Sequence, residues 1–154
     1  MNALPRPTFK TDADAVAERE IAAAAEGWSK ARYLKIGEDH PQRQKPRIDG
    51  LFFRERVVVA FAELKDIAAV SFGETRFYIV AEKKVRCGRG LADIVRVPVF
   101  LIARFACGTI GCLNLSEAYV SIPKWGRRDR NSPGDIEAGA GFDWSRFKIV
   151  RGVT

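Results

Sequence analysis

The sequence predicts an α/β or α+β fold in which helices flank a central mixed β-sheet. Three observations predict it. An alanine-rich stretch near the N-terminus carries apolar residues at helical spacing. Two apolar runs, "IDGLFF" and "VVVAFAELK", are separated only by "RER", the pattern of an antiparallel hairpin. Beyond them the order continues as helix, hairpin and tail.

Residues 1–10 hold two prolines and little pattern, and are expected to form a flexible arm. That leaves 11–154 as a single domain, a length suited to one real core. Thr11 or Asp12 can cap a helix, and Asp14 adds negative charge to its first turn. In "DADAVAEREIAAAAEGW", Ala17, Ile21, Ala24, Ala25 and Trp28 share one face. The small alanines predict close packing against a sheet, and Gly27 is a stop or weak point. "SKARYLKIGEDHPQRQKPR" reads as irregular and basic, because its prolines oppose a regular element.

The two runs around "RER" form the hairpin. "ETRFYIVAEKKVRCGRGLADIV" has helical spacing with a break at the glycines near residues 88–90. "VPVFLIARFA" is a strand, and "CGTIGCLNLS" a turn followed by another strand. "SIPKWGRRDRNSPGDIEAGAG" reads as a long loop, and "FDWSRFKIV" closes the chain as a short helix or strand.

Composition narrows the function. The chain is 47% apolar and 29% charged, ordinary values for a globular protein. No apolar run approaches the roughly 18 residues of a membrane span. The N-terminus lacks the charged-then-apolar order of a signal peptide. The expectation is a soluble, cytoplasmic protein with no membrane partner. Three cysteines, Cys87, Cys107 and Cys112, make an odd and sparse set, which argues against a disulfide scaffold. The spacing of "CGTIGC" and the distance to His40, the sole histidine, argue against zinc. Buried free thiols in a reducing compartment are expected instead. "GETR" and "CGRG" do not follow the P-loop or dinucleotide fingerprints. A net charge of +7 would attract a phosphate backbone.

The hairpin carries the chemistry. Residues i and i+2 of a strand face the same side, so Val57, Val59, Phe61, Glu63 and Lys65 share one face. If "RER" is a three-residue loop, Phe53 faces Val57 and Asp49 faces Phe61, with Glu63 its diagonal neighbour. A two-residue loop would shift the register by one and turn Asp49 to the wrong face. Two adjacent carboxylates repel unless a cation holds them. Oxygen donors of this kind suit Mg²⁺ or Mn²⁺, which keep several waters and take phosphate as a further ligand. Lys65 would orient a water or stabilise developing negative charge. The expected reaction is hydrolysis of a nucleic-acid backbone.

An Asp opening one strand, followed by Glu-x-Lys ending the next, resembles the PD-(D/E)XK nuclease superfamily. Here "RIDG" (47–50) supplies Asp49, and thirteen residues separate it from the Glu63 of "ELK" (63–65). Ile48 stands where the motif writes Pro. The stretch "AEREI" (17–21) resembles the first helix of the archaeal Holliday junction resolvases within that superfamily. The resemblance implies a restriction-endonuclease-like core and a further metal-side glutamate on that helix. The position falls on Glu18 or Glu20, which flank the apolar face equally. It also implies Mg²⁺-dependent DNA cleavage, with branched DNA such as a Holliday junction as substrate and a homodimer as the working form. The tail "GRRDRNSPGDIE" resembles that of small phage-type endonucleases, which would place the protein in a host cytoplasm.

The basic residues are read with DNA in mind. Arg43, Lys45 and Arg47 precede Asp49, and Lys83, Lys84, Arg86 and Arg89 lie on or near the second helix. Arg127, Arg128 and Arg130 follow Trp125, which could stack on a base at a strand end or branch. Each alone reads as a solvated charge; together, beside the Asp and Glu-x-Lys, they predict a surface that tracks a DNA backbone. The resemblance singles out Lys84, since the helix after the Glu-x-Lys strand faces substrate in that superfamily. Two alternatives stand beside the nuclease: a non-catalytic DNA-binding module of the same fold, and a structural or assembly protein of a phage-like particle.

Overall fold

Thr11 starts the first helix, α1 (Asp12–Ser29), with a capping box. Its side chain accepts from the Asp14 N–H at 3.2 Å, while Asp14 accepts from the Thr11 N–H at 2.9 Å. The computed structural model describes residues 11–36, 48–126 and 136–152. The 1–10 arm, His40, Arg43, Lys45, Arg47, Arg127, Arg128 and Arg130 lie outside the described residues.

Helix α1 runs through Gly27 and ends at Lys30, which adopts the left-handed conformation. Strand β1 (Arg32–Lys35) follows, then β2 (Gly50–Arg54), β3 (Val57–Asp66), β4 (Tyr78–Ala81), α2 (Glu82–Val95), β5 (Val99–Arg104) and β6 (Ile110–Asn114). Strands β7 (Val120–Gly126) and β8 (Ile136–Phe142), a 3₁₀ turn over Trp144–Arg146 and β9 (Phe147–Arg151) complete the order.

Six strands form one sheet in the order β1-β2-β3-β5-β6-β9, in which only β3 and β5 are parallel. A smaller sheet is ordered β4-β8-β7. The fold is thus α+β with a mixed central sheet, as expected, and is consistent with a restriction-endonuclease-like core.

Four local expectations are corrected. "RYLK" is a strand despite its basic surroundings, because its backbone completes the ladder of β2. "YIVA" is strand β4, and only then does the helix begin. That helix passes Gly88 and Gly90 without a break. A Cβ at Gly88 would lie 2.6 Å from a Leu115 methyl, so glycine there permits close packing of α2. The supposed long loop contains β7 and β8, whose pairing tolerates its glycines.

The two faces of the large sheet hold different cores. On one face, Ile21 and Ala25 of α1 pack with Phe52, Ala60, Ala62, Ile102 and Cys112. The small side chains of β3 let the helix approach closely, as the alanines predict. Trp28, assigned to this face by periodicity, is instead 45% exposed. On the other face, Val85 of α2 packs with Val99, Leu101, Ala103, Leu113 and residues of the small sheet. All three cysteines are free, but only Cys112 is buried; Cys87 and Cys107 are exposed.

Candidate active site

The hairpin that carries the candidate site differs from expectation in its turn and its register. The turn is two residues long: Arg54 pairs with Val57, and Glu55 and Arg56 both adopt positive φ, at 50° and 68°. These are the dihedral signs of a type I′ turn, whose twist suits a tight hairpin. By itself this turn would put Asp49 on the wrong face. A bulge then shifts the register. Phe53 pairs with Val58 but Phe52 pairs with Ala60, leaving Val59 as the extra residue. Leu51 then pairs with Phe61 and Gly50 with Ala62, where the ladder between the two strands ends. The three-residue loop is therefore wrong, and the expected pairing of Asp49 with Phe61 is replaced by that of Leu51.

Asp49 is fixed at this spot by the ladder's end. Its N–H donates to the Ala62 carbonyl at 3.0 Å, and its own carbonyl accepts from Ile36 at 2.9 Å. Its carboxylate accepts the Leu64 N–H at 2.7 Å, a donor that faces β2 just beyond that strand's first residue. Asp49 thereby satisfies a backbone group that the ladder leaves over.

Glu63 lies on the α2 face of β3, its side chain 13% exposed, and forms an ion pair with Lys84 of α2. Lys65 follows on the same face of the strand. Its surface is open to solvent, yet the atoms crowding its ammonium depress its pKa, Lys84 depresses it further and Glu63 opposes both. Glu63, Lys84, Ile48, Leu91 and Leu115 line a cavity of about 140 Å³. A broader depression of about 410 Å³ lies by Asp66 and Arg104.

The two helix glutamates part company here. Glu18 is half-buried, with Lys35 of β1 at 3.4 Å. Tyr33, on the same face of β1 as Lys35, feels the charge of both Glu18 and Asp49. Glu20 is exposed and pairs with Arg104, which also binds Asp66 through two hydrogen bonds of 2.9 and 3.0 Å. Glu18 thus meets Lys35 at the β1 edge of the sheet, whereas Glu20 belongs to a separate ion network.

The basic residues of α2 also divide. Lys83 and Arg86 are exposed, and Arg86 has Glu82 at 3.4 Å. Arg89 is held by the carbonyls of Leu115 and Glu117 and sits 4.8 Å from the centre of the Tyr119 ring, an arrangement that ties α2 to the chain after β6. Trp125 covers Gly139 of the small sheet, where a Cβ would come 3.0 Å from it.

Among the described residues, no three His, Cys, Asp or Glu side chains form a set that would hold a metal by themselves. A pair of carboxylates is a different case. Mg²⁺ is commonly held by one or two carboxylates, with waters and substrate phosphate filling the remaining positions. Asp49 and Glu63 have the donor chemistry for that arrangement.

A family model described as "Phage putative PDDEXK endonuclease" matches residues 4–150. The chain belongs to that family. Membership bears out the phage-type resemblance drawn from the motif and tail. No curated protein and no solved structure matches the chain. The match spans Asp49 and the Glu63-x-Lys65 stretch. Tyr33 escaped sequence reasoning. Its neighbours come from α1 and the start of β2, and neither spacing nor composition advertises that meeting.

Proposed function

We propose that this PDDEXK-family protein is a Mg²⁺-dependent DNA endonuclease, with Mn²⁺ able to substitute. Asp49 and Glu63 would hold the cation as a pair, Lys65 positions and activates the attacking water, and Glu18 of α1 is the further acid that the resemblance to the resolvases implies. The observation that supports this reading is the meeting of Asp49 with β3: its carboxylate accepts the Leu64 N–H at 2.7 Å, one residue past Glu63 and one before Lys65, in a chain of the PDDEXK family. A cation held there would neutralise phosphate charge and acidify a water.

Lys65 is suited to its role because its pKa is depressed, which makes the neutral amine more accessible. Lys84 is suited to a phosphate contact. An ammonium on a flexible stem can leave Glu63 and meet a substrate anion nearby. Lys83 and Arg86 extend the positive surface along the exposed side of α2. Arg43, Lys45, Arg47, Arg127, Arg128 and Arg130 complete the proposed DNA-contacting set, on the strength of the sequence. Glu20 is left out of the centre because Arg104 engages it. Branched DNA is the proposed substrate, and a homodimer making paired cuts the proposed form; both rest on the resemblance to junction resolvases.

The test is cleavage of end-labelled linear, flapped and four-way DNAs, each with Mg²⁺ and with EDTA. The reading expects cleavage only with the metal, fastest on the four-way DNA. Equal rates on all substrates would remove the branch preference alone. No cleavage of any DNA, with binding intact, would replace the enzyme with a binding module.

A further inference from the structure

Tyr33 stands in the middle of β1, opposite Phe52, with the two ring centres 5.2 Å apart. Its ring lies directly over Gly50, where a Cβ would come within 2.5 Å of the ring edge and the hydroxyl. Glycine at that position is what lets the phenol oxygen settle beside the start of β2, next to Asp49. The oxygen is buried and has no hydrogen-bond partner among the described residues. Buried tyrosine hydroxyls normally have one.

Asp49 precedes Gly50 in the chain, and Lys35, two residues along β1 on the face of Tyr33, has Glu18 of α1 at 3.4 Å. A phenol carries its proton at neutral pH and can act as a donor. A donor set between carboxylates from two elements, in a site read as cation-binding, has a definite use.

We propose that Tyr33 is a positioning residue: its hydroxyl donates to the Asp49 and Glu18 side of the site when a divalent cation binds, holding the carboxylate geometry that the cation requires. This rests on the nuclease reading above. Tyr33 touches neither substrate nor cation and acts through the carboxylates. Partners of this outer kind typically change metal affinity by about 10- to 100-fold.

The test is Tyr33→Phe in the full chain, beside wild type and Asp49→Asn. Two quantities are measured without DNA: Mn²⁺ affinity by isothermal titration calorimetry, and the thermal midpoint. Phe keeps the ring over Gly50 and removes only a buried hydroxyl lacking a partner, so the midpoint should hold or rise. Mn²⁺ affinity should fall about tenfold. Unchanged affinity in Tyr33→Phe, with binding lost in Asp49→Asn, would overturn the proposal and leave the nuclease reading standing. A lower midpoint accompanying the lower affinity would also overturn it, since it marks a packing role. If wild type binds no Mn²⁺, the nuclease reading fails and this proposal fails with it.

Discussion

The last residues of β3 point to two sides, and the two sides treat their charges differently. On the α1 side, Asp66 and Glu20 are both gripped by Arg104, which meets Asp66 through a pair of hydrogen bonds. On the α2 side, Glu63 is paired with Lys84 while Lys65 follows two residues on. A guanidinium fork fixes the orientation of the carboxylate it binds, whereas an ammonium is a point charge on a flexible stem that changes partner easily. The lesson is that an acid-rich spot is not automatically a site. The Arg104 network joins one guanidinium to two acids; the Glu63 side holds one acid beside two amines, and the proposed function has a cation and a phosphate exchange that pairing. The broader depression sits on the completed side, so size alone does not identify the chemistry.

The largest expected effect breaks the comparison directly. Glu63→Gln should lower Mg²⁺-dependent cleavage by about 10⁴-fold, the scale of losing several kcal/mol of metal-assisted stabilisation. Asp66→Asn, on the other side of the same strand, should leave the rate within about threefold. Initial rates on one labelled substrate measure both.

A smaller effect is expected at Lys84. Replacing it with Met should weaken DNA binding roughly uniformly across sequences and reduce the salt slope of binding by about 1. Anisotropy titrations at several salt concentrations, with Ca²⁺ in place of Mg²⁺, would show it. An unchanged slope would confine Lys84 to its bond with Glu63.

The smallest effect sharpens the α1 side. Arg104→Met should cost about 1 kcal/mol of stability in urea unfolding, discounted because Asp66 and Glu20 are 41% and 53% exposed. Cleavage should be nearly unaffected. A large loss of cleavage would mean that the two sides are coupled.

Much of this comparison could be read in the sequence, and for physical reasons. The first helix announces itself through Thr11, Asp14 and its alanine face, because capping and amphipathicity are local. The hairpin is legible because its apolar runs alternate. The loop length did not come out, and an extra residue at Val59 shifts the register that a two-residue turn sets. Neither a bulge nor a positive φ at Glu55 and Arg56 has a clear signature in residues of that type. Strands β1, β7 and β8 were hidden because their stability comes from partners distant in sequence, not from their own composition. The different partners of Glu18 and Glu20, Lys35 for one and Arg104 for the other, are not contained in a helical wheel.

The central claim is that the α2-facing end of β3, together with Asp49, forms a metal-dependent cleavage centre. Asp49→Asn tests it most directly, with DNA binding and cleavage followed in the same sample as Mg²⁺ is added. The account predicts binding close to that of wild type and no cleavage at any Mg²⁺ concentration. Cleavage by Asp49→Asn at the wild-type rate, or wild-type cleavage that persists in EDTA, would contradict it.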